Sequence, residues 1–283
     1  MPVVDTPEPQ TERGRAGLRA LTEDPGRALV ALDFDGTLAP IVADPVRARA
    51  HPEALDALVA LAGQVGHTAI VTGRPAATAV EYAGLCRSPD APTLHNLVVL
   101  GHYGLERWDA ATGEVTAPPP PPGVDEVRRR LPDLLAEHGA GEAFVEDKGS
   151  SVGVHTRRLP DPQDAFDRLR APLQRLADEE GLALEPGRLV LELRPRGVDK
   201  GGALRGLVAE LGARTVVFAG DDLGDLAAFD AVDALREEGL AGLLVCSGST
   251  EEATLAARAD LVVDGPAGVV ALLRALTAVL AAR

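Results

Sequence analysis

Aromatic residues are scarce, at 3% of 283 positions, and the chain has one methionine, one tryptophan and two cysteines. A core built on rings is therefore excluded, and the 46% hydrophobic content has to pack as aliphatic Ala, Leu and Val. Two cysteines, Cys86 and Cys246, make neither a disulfide framework nor a thiolate metal site. We expect them to be small buried side chains of a reducing compartment. Positive charge is also in deficit: 28 basic residues face 43 acidic ones, for a net charge of −15. No basic face can neutralise a phosphate backbone on that balance, which excludes general nucleic-acid binding. Long apolar runs are missing too. The nearest approach to the roughly 18 uncharged apolar residues of a membrane span is GVVALLRALTAVLAAR, where Arg274 interrupts a pattern suited to an amphipathic closing helix. The opening MPVVDTPEPQTERGR lacks the apolar stretch of a secretory signal. The expectation is a cytoplasmic globular monomer without membrane or nucleic-acid partners.

Lysine is nearly absent: of the 28 basic residues only Lys148 and Lys200 are lysines, the rest being arginine. A compact ammonium that survives such drift marks a position where a planar guanidinium fork does not fit.

The residues that are present fall into an alternating pattern. Residues 1–26 are polar, with Pro2, Pro7, Pro9 and Pro25, and suggest a loose arm around one short helix. RALVALDFDGT, GHTAIVTGRP and LHNLVVLGHYG then carry apolar runs ending in Gly, Asp or Thr, as strands buried on both faces do. Helical patterns at 52–64 and 75–85 separate them, which predicts a parallel α/β sheet with crossovers. Five prolines, Pro118 to Pro122, break the pattern and form a stiff spacer. After it come a helix (124–137), the strands EAFVED and SSVGVHTR, a second helix (162–180), and LALE and RLVLELR around a Pro186-Gly187 turn. Helix, hairpin, helix, hairpin describes a small α+β domain with an antiparallel sheet. The parallel pattern resumes with RTVVFAGDD, AGLLVCSG and ADLVVDG. The expected division is an arm at 1–26, a core at 27–116 and 197–283, and an inserted domain at 117–196.

Chemistry gathers at the strand ends, where ligands of parallel sheets bind. Asp33 and Asp35 follow the first strand within Asp33-Phe34-Asp35-Gly36-Thr37-Leu38. Thr72-Gly73-Arg74 follows the second and offers a hydroxyl and backbone N–H groups to phosphate oxygens. Lys200, in GVDKGGAL, supplies a cation at a helix start, and Gly220-Asp221-Asp222 offers carboxylates to a hard divalent ion.

The Asp33–Leu38 string resembles the first motif of the haloacid dehalogenase superfamily of phosphatases. That resemblance implies a Rossmann-like parallel α/β core with an inserted α+β cap, and an aspartyl-phosphate mechanism. Asp33 would be the nucleophile, Asp35 the acid and base, and Lys200, Thr72, Gly73 and Arg74 the groups about the phosphate. Mg²⁺ would be held by Asp33, Asp221 and the main-chain carbonyl of Asp35, with Asp222 and Asp225 behind them. Within the insert, Glu146-Asp147-Lys148-Gly149, His155-Thr156-Arg157 and Leu191-Glu192-Leu193-Arg194-Pro195 are similar to the cap of trehalose-6-phosphate phosphatases. Gly101-His102-Tyr103-Gly104-Leu105-Glu106 resembles a further segment of that family. The similarity runs from about residue 28 to 230, and Lys148 falls within it. By it, Glu146, Lys148, His155, Arg157 and Glu192 would bind sugar hydroxyls. One departure touches the outer shell of the metal. The family usually continues its last motif as G-D-D-x-T-D-E, whereas Leu223-Gly224-Asp225-Leu226 follow Asp222 here.

The implied activity is hydrolysis of trehalose 6-phosphate, a phosphorylated disaccharide, in trehalose biosynthesis. Two alternatives stand beside it: the same chemistry on another glycoside phosphate, and a non-catalytic sensor of sugar phosphate, for which an intact nucleophile has no use.

Overall fold

The computed structural model describes residues 8–42, 44–85, 94–187, 189–248 and 253–283. Cys86, Pro2 and Pro7 lie outside the described residues. The chain divides into two compact units, one formed by Met1–Ala117 with Asp199–Arg283, the other by Pro118–Val198.

The first stretch of the first unit runs α1 (Glu12–Glu23), β1 (Ala28–Leu32), α2 (Ala54–Ala62), β2 (His67–Val71), α3 (Ala76–Tyr82), β3 (Leu97–Gly101), β4 (Glu106–Asp109) and β5 (Val115–Thr116). The second unit contains α4 (Pro122–Glu137), β6 (Phe144–Asp147), β7 (Val152–His155), α5 (Pro162–Glu179), β8 (Leu182–Gly187) and β9 (Val190–Pro195). The chain then returns to the first unit as α6 (Lys200–Leu211), β10 (Thr215–Gly220), α7 (Leu226–Glu237), β11 (Ala241–Ser247), α8 (Ala253–Arg258), β12 (Leu261–Val263) and α9 (Gly265–Ala281).

In the first unit eight strands form one sheet in the order β12-β11-β10-β1-β2-β3-β4-β5. Pairing is parallel from β12 to β3 and antiparallel at β4 and β5. The central runs ALVAL, LVVLG and TVVFAG are buried at every position, because helices cover both faces. Leu58 and Leu61 of α2, Ala79 and Val80 of α3, and Val269 and Leu273 of α9 pack on one face. Leu204 and Leu207 of α6, Phe229 of α7 and Leu255 of α8 pack on the other. Successive strands run outward from β1 in one direction and from β10 in the other. The border between β1 and β10 is therefore a topological switch point, where the carboxyl ends of strands open a crevice.

The helix expected in the N-terminal arm is part of this packing. Leu21 of α1 is fully buried, and a Cβ on Gly17 would stand 1.9 Å from the carbonyl oxygen of Gly242 in β11. Thr11 caps α1 by accepting from the Gly14 N–H at 2.9 Å, and its hydroxyl donates to buried Asp260, which also accepts from Arg236.

In the second unit the antiparallel sheet runs β6-β7-β9-β8. Its apolar face, with Val152, Val154, Leu191 and Leu193, packs against Val127 and Leu131 of α4 and Leu169 and Leu173 of α5. Pro118–Pro121 adopt no regular structure and Pro122 opens α4, a position where the missing N–H costs nothing. The expected Pro186-Gly187 turn is corrected by the structure. Both residues belong to β8, paired with Leu191 and Val190, and the left-handed conformation falls on Leu189, at φ 59°. Pro186 is tolerated because β8 is an edge strand.

Candidate active site

Asp33 leaves the end of β1 at the switch point, its N–H donating to the Ala219 carbonyl at 2.8 Å. The chain turns sharply behind it at Gly36, whose φ is 73°. A Cβ there would lie 1.9 Å from Asp221 Oδ2, so glycine is required both for the backbone and for the approach of that carboxylate. Ser247 at the end of β11 holds the turn by donating to the Gly36 carbonyl at 2.7 Å.

Lys200, the first residue of α6, reaches the same place, because its N-cap Asp199 accepts from Gly202 and fixes the helix start. Lys200 Nζ stands 2.7 Å from Asp33 Oδ1 and 2.7 Å from Asp225 Oδ1. Asp225 is wholly buried, and its other oxygen accepts from the N–H groups of Asp221 (2.9 Å) and Asp222 (3.3 Å). Asp222 and Asp225 cap one short turn reciprocally. The departure from the usual last motif thus leaves a carboxylate that anchors the lysine and shapes the loop. Burial opposes a charge on Lys200, but Asp225 and Asp33 outweigh it and hold the ammonium well above its usual pKa. Asp33 is pushed up, first by burial and then by Asp225 and Asp221 against the pull of Lys200. Burial, Asp222 and Asp225 raise Asp221 to about 8, and burial and Asp225 raise Asp222.

Thr72 follows β2 and is buried, and its Oγ1 accepts the Arg74 N–H at 3.1 Å. The segment expected from Gly101-His102-Tyr103-Gly104-Leu105-Glu106 brackets this loop. His102 N–H donates to the Arg74 carbonyl and Tyr103 N–H to the Thr72 carbonyl, both at 2.9 Å. Glu106 accepts from the Ala76 N–H at 2.7 Å. His102 and Tyr103 take φ 45° and 59°, a conformation rare for such side chains and found where surroundings impose it. Gly73 admits the Tyr103 hydroxyl to 2.6 Å from where a Cβ would stand. Arg74 itself forks onto Asp35.

In the second unit, Glu146, Gly153, Glu192 and Glu185 lie in one cross-strand row. Alternation of side chains puts Glu146, His155, Glu192 and Arg194 on the face opposite the aliphatic core. Lys148 Nζ meets Glu192 Oε2 at 2.8 Å and Glu146 at 4.0 Å. His155 Nε2 lies 2.9 Å from Glu146 Oε2. Glu192 is 7% exposed, which separates it from an ordinary solvated strand charge. Arg157 follows buried Thr156 and is exposed. The sequence did not single out Ser151, which donates to Glu192 Oε1 at 2.6 Å, nor Phe144, whose ring lies 5.5 Å from His155 with Arg158 5.0 Å above it. Arg194, 2.8 Å from Glu185, was legible as the next outward residue after Glu192.

Residues 31–264 match the family described as trehalose-phosphatase. The chain belongs to the trehalose-phosphatase family. It is 30% identical over 206 residues to the trehalose-6-phosphate phosphatase of Escherichia coli K12, covering 72% of this chain and 73% of that protein. It is 37% identical over 217 residues to an uncharacterized glycosyl hydrolase of Mycobacterium tuberculosis. That match takes in 73% of this chain but spans 15% of the length of the longer mycobacterial protein. Among solved structures, the C-terminal domain of Candida albicans trehalose-6-phosphate phosphatase superposes with a TM-score of 0.75 at 21% identity, covering 97% of this chain and 99% of that one. This last likeness is one of fold, and it agrees with the expected Rossmann-like parallel α/β core carrying an inserted α+β unit.

A family of this chemistry implies a divalent metal, and the donor set can be tested against it. Asp33, Asp221 and Asp225 each place a carboxylate oxygen within 4.8 Å of the others, all buried. Three buried carboxylates against one ammonium leave the cluster short of positive charge, and oxygen donors suit a hard cation. Asp225 already accepts from Lys200 and two N–H groups, so Asp33 and Asp221 are the side chains suited to ligation. Among the described residues no helix is long and apolar enough to cross a membrane.

Proposed function

We propose that this protein hydrolyses trehalose 6-phosphate to trehalose and phosphate through an aspartyl-phosphate on Asp33. The observation that carries the reading is the buried Asp33–Lys200–Asp225 chain at the end of β1, with bonds of 2.7 Å on either side of the ammonium. Mg²⁺, held by Asp33, Asp221 and the main-chain carbonyl of Asp35, would offset the repulsion between a carboxylate and a phosphate dianion when bound.

In the first half-reaction an Asp33 oxygen attacks phosphorus as the bond to the sugar oxygen breaks, and Asp35 gives that oxygen a proton. In the second, water attacks the acyl phosphate, Asp35 takes back a proton, and phosphate leaves Asp33 as a free carboxylate. Lys200 and the Thr72-Gly73 turn would hold the phosphoryl oxygens on which charge gathers. Glu146, Lys148, His155, Arg157 and Glu192 would bind the sugar hydroxyls. The same reading makes the enzyme a cytoplasmic monomer of trehalose biosynthesis.

Phosphate release over a panel of sugar phosphates tests it. Trehalose 6-phosphate should be preferred, Asp33→Asn should remove turnover while leaving the melting temperature near wild type, and EDTA should abolish activity until Mg²⁺ is restored. Equal rates on small monosaccharide phosphates would overturn the substrate, and metal-independent hydrolysis the mechanism.

A further inference from the structure

We propose that Arg74 is a positioning residue for Asp35 rather than a ligand of the phosphoryl group. The inference rests on the reading of Asp33 as nucleophile and Asp35 as acid and base. Arg74 follows the Thr72-Gly73 turn, where sequence alone puts it with the phosphate. Its Nε and a terminal nitrogen instead meet the two Asp35 oxygens at 2.7 and 2.6 Å, across 39 residues of chain. Two parallel N–H···O bonds are the pairing that the planar fork makes best.

Two rings flank the fork, and main-chain bonds fix the residue that carries it. Its carbon lies 5.3 Å from the Tyr82 ring centroid and 5.7 Å from that of Phe34. The Arg74 N–H donates to Thr72 Oγ1, and the Arg74 carbonyl accepts from His102. The Asp35 side chain is more exposed than that of Arg74, 36% against 16%, and it precedes the left-handed Gly36. The more enclosed partner of the pair is thus the arginine. A carboxylate has about four lone-pair sites, of which the fork takes two and leaves two for proton transfer. Asp35 must give a proton to the leaving oxygen in one half-reaction and accept one from water in the next, so its bearing has to persist through both.

The dependence on leaving group separates the two roles. Loss of a phosphate ligand slows every ester alike. Loss of an oriented acid slows an alkyl ester, whose oxygen needs a proton, far more than p-nitrophenyl phosphate, whose phenolate departs unaided. Arg74→Lys and Arg74→Met, each corrected for folded fraction from its thermal melt, should lower kcat on trehalose 6-phosphate by about 10²-fold, the low end of what a placed acid contributes. The fall on p-nitrophenyl phosphate should be at least tenfold smaller, and inhibition by inorganic phosphate should shift only a few-fold. In Asp35→Asn, adding Arg74→Lys should cost little more. Equal falls on both esters, a matching loss of phosphate affinity, or additive effects in the double variant would overturn the positioning role. Hydrolysis of neither ester by the unmodified protein would instead overturn the phosphatase reading beneath it.

Discussion

The two lysines among 28 basic residues each sit beside two carboxylates of their own unit. Lys200 is 5% exposed between Asp33 and Asp225, where a compact ammonium can touch both carboxylates and a guanidinium would have to displace one. Lys148 bonds Glu192 from a strand end with more room around it. The two positions should respond differently to a change that keeps charge. Lys200→Arg should lower kcat by about 10²-fold for every phosphate ester, as loss of one oxyanion donor does. Lys148→Arg should reduce kcat/KM for the disaccharide by roughly tenfold to a hundredfold, the worth of a hydrogen bond to a charged group, while affecting p-nitrophenyl phosphate much less. Steady-state kinetics on both substrates decides this, and equal losses on both by Lys148→Arg would sink the distinction. Residues of this kind are legible because their spacing from strand ends is local. The Arg74–Asp35 and Ser151–Glu192 bonds are not, since they join residues 39 and 41 apart and no periodicity records which side chains the topology brings together.

At the scale of elements, apolar runs and turn residues located the six parallel strands of the first unit and the two helices and four strands of the second, but not the antiparallel β4 and β5, and the docking of one element on another stayed hidden. Residues 1–26 are polar enough to suggest a loose arm, yet α1 carries Gly14, Gly17, Leu18 and Leu21 along one face and lies on β11 with Gly17 against Gly242. Glycine in a helix interior counts against helix on propensity alone. Here it lets a backbone approach that no side chain permits. Gly17→Ala should therefore destabilise the first unit by about 1–3 kcal/mol, the usual cost of overpacking, because the obstructing atom is a main-chain carbonyl that cannot rotate away. Gly26→Ala, with nothing within 4 Å of the added methyl, is the matched control and should melt like wild type. Urea titration of the two variants measures the difference, and equal midpoints would show that α1 is a loose arm after all.

The charge of the whole molecule, −15, has its most costly share in the buried carboxylates of the first unit. With no cation bound, burial, Asp222 and Asp225 hold Asp221 up at about 8, against an ordinary value of 3.8. A group whose pKa is raised on folding stabilises the fold fully below its unfolded value, and loses that contribution as pH rises through the folded value. The metal-free protein should accordingly lose stability between about pH 4 and pH 8 through this group, as the native state is forced to give up a proton it binds more tightly than the unfolded chain does. A divalent cation should reverse the trend, since it must compete with that proton at low pH and meets an ionised carboxylate at high pH. Mg²⁺ at one fixed concentration, a hundredfold above its Kd at pH 8, should raise the melting temperature of the first unit by about 5 °C or more at that pH. The rise should be smaller at pH 6 and absent in Asp221→Asn at either pH. Scanning calorimetry of the intact chain, with EDTA as the metal-free reference, reads all of these arms without any substrate. A Mg²⁺ effect that is independent of pH, or that survives Asp221→Asn, would place the cation somewhere other than beside Asp221.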